Sequence, residues 1–130
     1  MVNYEISIVL EEDYDVVVGK TVKALKDEGF GVLSEINVKQ TLKEKLDVDF
    51  ERYVILGACN PPFAKKALEI EREIGLLLPC NLIVQELKGG KTKVAAIDPE
   101  KMFTIIENPQ LELVAKEVRS KLQRVIKSLR

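Results

Sequence analysis

The chain has no histidine and no tryptophan, and only two cysteines among its 130 residues. Without imidazole the commonest general base near neutral pH is missing, and no pair of carboxylates is placed by spacing for acid and base roles. A hydrolase or transferase is hard to assemble from such residues, and a role other than catalysis is expected. Two sulfurs without histidine also fall short of the three or four ligands of a zinc site, unless Asp98 or a second subunit contributes. No cofactor is expected beyond a thiophilic ion such as Cu(I), which two thiolates suit. Cys59 and Cys80 stand far apart rather than in C-x-x-C, so a thioredoxin-type motif is absent.

A surplus of basic charge is missing too. Lys and Arg number 20 against 21 Asp and Glu, a net charge of −1, which offers no attraction to a phosphate backbone. No nucleic acid partner is expected. Long apolar runs are lacking: stretches such as Gly75 to Leu78 are far too short to span a bilayer, so a soluble protein without a membrane partner is expected. The start, MVNYEISIVLEED, has no basic opening, apolar middle or small-residue cleavage site, and a cytoplasmic address follows as the expectation. In that reducing setting two cysteines are more often thiols than a structural bridge.

What is present reads as one domain over 1–130, with no repeat, low-complexity segment or linker. Tyr4, Ile6, Ile8 and Leu10 recur every second residue, the period of a half-buried strand. Glu11 to Asp13 then precede Val18, Val22 and Leu25, spaced for one helical face, and Gly29 marks the stop. Phe30 to Ile36 reads as a strand, Asn37 as the cap of a helix carrying Val38, Leu42 and Leu46, and Arg52 to Ala58 as a third strand. Asn60 is a good N-cap and Pro61 suits a first helical position, opening a helix to about Ile74 that Gly75 ends. Leu82 to Leu87 and Thr92 to Ile97 form a hairpin about Lys88-Gly89-Gly90-Lys91. Beyond Asp98-Pro99 one helical turn is expected near Met102 and Phe103. A last helix follows, its apolar stripe running through Leu111, Val114, Val118, Leu122, Val125 and Leu129. If that stripe is wider than one sheet covers, it becomes a dimer contact.

Two motifs echo each other: GACNPP at 57–62 and LLPCN at 77–81. With a four-residue hairpin loop, Leu87 pairs with Thr92, Gln85 with Val94, Ile83 with Ala96 and Asn81 with Asp98. Where Cys59 lies depends on the connection between them. A helix from Pro61 to Ile74 advances roughly 20 Å and by itself leaves the cysteines at opposite sheet ends. An extended Leu76 to Pro79 climbs back by roughly 13 Å and brings them together, the one case compatible with a disulfide. At a helix start Cys59 would feel the positive end of the dipole, which favours a thiolate. The plainer alternative is a small buried hydrophobe ending a strand. Asn60 reads as a cap, Asn81 as a turn or strand-edge residue, and Asp98 as a turn initiator. The candidate ligand-binding residues are therefore Cys59, Asn60, Cys80, Asn81 and Asp98, with no catalytic residue among them.

The segment from Gly29 to Pro99 closely resembles the domain of unknown function 302 family. Its strongest marks are G-x-C-N-P at Gly57 to Pro61, L-L-L-P-C-N at Leu76 to Asn81, and Asp98-Pro99. The resemblance implies an α+β domain with a curved, mainly antiparallel sheet packed against helices, TATA-binding-protein-like in architecture and commonly a homodimer. It implies no reaction. Some relatives keep the Asn-Pro and Leu-Pro framework with other residues in place of the cysteines, leaving Asn60, Pro61, Pro79 and Asp98 as the shared scaffold. Three roles follow as expectations. The favoured one is a dimeric small-ligand-binding module with its polar site at the Cys-Asn-Pro and Pro-Cys-Asn loops. The second is a thiol module for redox, persulfide or Cu(I) handling, with Cys59 reactive and Cys80 its partner. The third is a purely structural interaction protein.

Overall fold

The computed structural model describes residues 3–130. Alternation at the start of the chain becomes β1 (Glu5–Leu10), and Asp13 then caps α1 (Tyr14–Asp27), its carboxylate accepting from the Asp15 N–H at 3.1 Å. Gly29, at φ 86°, ends α1 in a left-handed turn: its N–H donates to the Lys26 carbonyl and that of Phe30 to the Leu25 carbonyl. β2 (Gly31–Asn37) runs directly into α2 (Val38–Leu46), because the Asn37 side chain accepts from the Gln40 N–H at 3.0 Å. β3 (Tyr53–Cys59) leads into α3 (Pro61–Ile70), a 3-10 helix (Arg72–Leu77) and β4 (Cys80–Glu86). β5 (Thr92–Ile97), α4 (Pro99–Met102), a 3-10 turn (Phe103–Ile105) and α5 (Leu111–Ser128) complete the chain.

The five strands form one open antiparallel sheet in the order β1-β5-β4-β3-β2. The α+β architecture expected from the residues, with its long C-terminal helix, is the one observed. Alternate residues on one face, among them Leu56, Leu82, Val84, Val94 and Ala96, join Val17 and Leu25 of α1 in the core. The whole α5 stripe from Leu111 to Leu129 is buried there as well, so within the chain it is core and not a surface left for a partner. Each such aliphatic side chain contributes about 1.5–3 kcal/mol by leaving water. The opposite face carries a cross-strand row of Ile36, Ile55, Ile83 and Ala95, outside the core cluster.

Two expectations are corrected. α3 stops at Ile70, not near Ile74, because Glu71 is extended at φ −143°, ψ 101°. The break turns Ile74 into the core, where it is fully buried. In the hairpin, the Leu87 N–H donates to the Lys91 carbonyl at 2.8 Å, which leaves a three-residue loop with Gly89 and Gly90 both at positive φ. The pairing is therefore Glu86 with Thr92, Val84 with Val94 and Leu82 with Ala96, one residue away from the expected register. Burial decides between the two, since facing residues share a face. The expected register would set polar Gln85 against core-facing Val94, whereas the observed one matches apolar with apolar.

Candidate functional site: two cavities against Phe103

After α3 and the 3-10 helix the chain returns so that β4 lies antiparallel to β3, with Ala58 opposite Cys80 and Gly57 opposite Asn81. The two cysteines thus share one end of the sheet, the nearer of the alternatives left open by the sequence. Both are free thiols, Cys59 half-buried and Cys80 buried. They line a narrow pocket of about 30 Å³ together with Asn60, Phe63, Pro79 and Phe103. That is the volume of roughly one water. Burial pushes the Cys80 thiol up to about 11, and the nearby Cys59 adds in the same direction. Cys80 is therefore protonated at neutral pH. Among the described residues, no cluster of three or more Cys, Asp or Glu is placed to hold a metal ion.

The other motif residues have structural partners. Asn60 occupies the N-cap position of α3, yet its side chain makes no capping bond; the expected cap is corrected to a cross-link. Its Nδ2 donates to the Glu28 carbonyl at 3.3 Å, tying the end of α1 to the start of α3. Gly57 lies under Ser34 and Pro79: a Cβ there would sit 2.9 Å from the Pro79 Cγ. Asp98 is buried, with Oδ1 accepting from the Glu100 N–H at 2.9 Å and Oδ2 from the Arg119 Nε at 3.0 Å. It caps α4 and joins α5 to the end of β5, and the expected pairing with Asn81 is not made. Asn81 is exposed, one step along β4 from buried Cys80, so alternation sends it to the open face. Of the five candidates, Cys59, Asn60 and Cys80 come together in one pocket, whereas Asn81 and Asp98 do not line it.

Phe103 also forms the wall of a second, larger cavity of about 540 Å³, between the Glu100–Pro109 segment and the first turns of α5. Its floor is apolar, from Phe103, Ile106, Leu111 and Ala115, and Glu100, Glu107, Glu112 and Lys116 stand among its lining. Among the described residues none of these three carboxylates enters an ion pair. Sequence reasoning passed over this cleft because its acids follow neither a helical nor a strand period. The one signal was Asn108-Pro109, which breaks the chain between two apolar stretches and folds the first back on the second.

No curated protein sequence matches the chain. A family model described as "Domain of unknown function DUF302" matches residues 6–129, beyond the Gly29–Pro99 core to take in β1, α1 and α5. Among solved structures, the chain is similar to an uncharacterized conserved protein DUF302 from Bacillus stearothermophilus. The two are 28% identical over 99% of this chain and 100% of that one, with a TM-score of 0.91.

Proposed function

The chain belongs to the DUF302 family, whose description names no reaction, and from the site itself we propose a small-ligand-binding module. The ligand occupies the cleft between the Glu100–Pro109 segment and α5, not the cysteine pocket. One observation carries this: at about 540 Å³ the cleft falls within the range of small-molecule sites, with an apolar floor and a rim of carboxylates that, among the described residues, no ion pair engages. The cysteine pocket, at about 30 Å³, has no room for such a ligand. Binding buries an apolar body against Phe103, Ile106 and Ala115, and the rim groups orient it. Amide spectra of the full chain recorded with a panel of small apolar fragments test the proposal. Shifts at Phe103, Ile106 and Ala115 are expected; shifts confined to Cys59 and Cys80 would move the site, and none at all would end it.

The module works as a homodimer through the open sheet face, where Ile36, Ile55 and Ile83 form an apolar row that the chain's own helices leave out of the core. Sedimentation should give twice the chain mass for the wild type and the single mass for Ile83→Glu. A wild-type monomer at high micromolar concentration would remove the dimer.

A second function is favoured by one specific observation, the two free thiols lining a single pocket. They would form a two-sulfur site for a thiophilic ion such as Cu(I), with Cys59 the accessible ligand. Because Cys80 is held protonated, the ion must displace its proton, so uptake should strengthen as pH rises. Competition against a Cu(I) chelator at pH 6 and pH 9 measures this. Equal uptake by the Cys59→Ala, Cys80→Ala double variant would exclude it.

A further inference from the structure

Resting on the cleft as the ligand site, we infer that its ligand is a small organic cation, an ammonium group carried on an apolar body. The rim sets the sign. Glu100, Glu107 and Glu112 bring three negative charges to the cleft against the single positive charge of Lys116. α5 begins at Leu111, and its N-terminus adds only about half an elementary positive charge. The opening stays net negative. Helix electrostatics account for Glu112, which lies in the first turn of α5 where a carboxylate offsets the dipole. They do not account for Glu107, which belongs to no helix, is exposed, and lines the same cleft. The floor selects the rest of the ligand: Phe103, Leu111 and Ala115 are buried apolar groups that a fully hydrated ion would leave unused.

An anion is repelled at this rim, and a neutral molecule of the same shape gains the floor without the charge. The test compares three probes of one shape on the full chain at low ionic strength: 3-phenylpropylammonium, 3-phenylpropan-1-ol and 3-phenylpropionate. Calorimetry gives the affinities and amide shifts give the location. The ammonium should bind about five- to tenfold tighter than the alcohol, the scale of two partly exposed ion pairs, and the propionate more weakly than either. Glu107→Gln combined with Glu112→Gln should bring the ammonium down to the level of the alcohol. In the same double variant the alcohol should still shift the Phe103, Ile106 and Ala115 amides, which reports that the cleft is intact. Equal binding of alcohol and ammonium, both shifting Phe103, Ile106 and Ala115, would overturn the cation and leave the cleft as a ligand site. No shift at those residues with any probe would overturn both.

Discussion

Two cavities meet at the Phe103 ring, and they are built in opposite ways. Around the cysteine pocket nearly every distinctive residue is committed to holding the fold. Asn60 reaches the end of α1, Gly57 admits Pro79, and Asp98 joins α4 to α5 through Arg119. What remains inside is about 30 Å³ and two thiols. The cleft beyond Phe103 has no sequence motif, but its volume is ample and, among the described residues, its carboxylates enter no ion pair. A dense motif here marks tight local geometry, and the proposed capacity to bind rests on the region where carboxylates line an open cleft.

If that contrast is sound, substitutions near the cysteine pocket lower stability and substitutions at the cleft rim do not. The largest effect is expected for Arg119→Ala, which leaves the buried Asp98 carboxylate without its guanidinium. A loss of about 3 kcal/mol is expected, at the lower end for breaking a buried pair because the arginine is itself partly exposed. Urea unfolding measures it, and a loss under about 1 kcal/mol would mean that the α4 cap alone satisfies Asp98. Next is the alkaline behaviour of Cys80. In the unfolded chain its thiol ionises near 9.0, in the fold only at about 11. Between those values the unfolded state binds fewer protons, so stability falls as pH rises. The contribution is intact below pH 9 and lost by pH 11, about 2 to 3 kcal/mol in all. Unfolding midpoints of wild type and Cys80→Ala at pH 8 and pH 11 isolate the step, because tyrosines and lysines titrate alike in both. A parallel pH dependence of the two proteins would refute the assignment.

Gly57→Ala comes third, at about 2 kcal/mol, since the new Cβ crowds a Pro79 ring that cannot rotate away. A neutral result in thermal unfolding would show that β4 shifts freely, and the pocket would lose its claim to rigidity. The smallest effect sharpens the contrast most. Glu107→Gln alone should change stability by less than about 0.5 kcal/mol, as exposed groups outside a helix and without an ion-pair partner do. A drop well beyond that would make the rim structural and bring the two cavities under one explanation.

Much of the fold is legible in local patterns. The spacing of Val18, Val22 and Leu25, Gly29 as a stop and Asn37 as a cap all describe interactions within one or two turns of chain. The α5 stripe is equally plain, because a period near 3.6 over eighteen residues admits one face and one partner layer. The candidate site was legible only in part. Cys59, Asn60 and Cys80 meet, one of the two placements that the spacing allowed, but Asn60 exchanges its cap for a bond across the fold, and Asp98 takes Arg119, 21 residues away. Neither exchange leaves a trace in spacing.

The amino-acid order by itself determined where helices and strands begin and end to within a few residues, and which face of each is apolar. Caps, glycine stops and side-chain periodicity act over a handful of neighbours and need no distant partner. Tertiary packing alone decided three things: the hairpin register, the meeting of the two cysteines and the opening of the cleft behind Phe103. Each turns on which side chains are buried together. That is a property of the assembled layers, and it chose the register that sets Val84 against Val94 over the one that would have drawn Gln85 into the core.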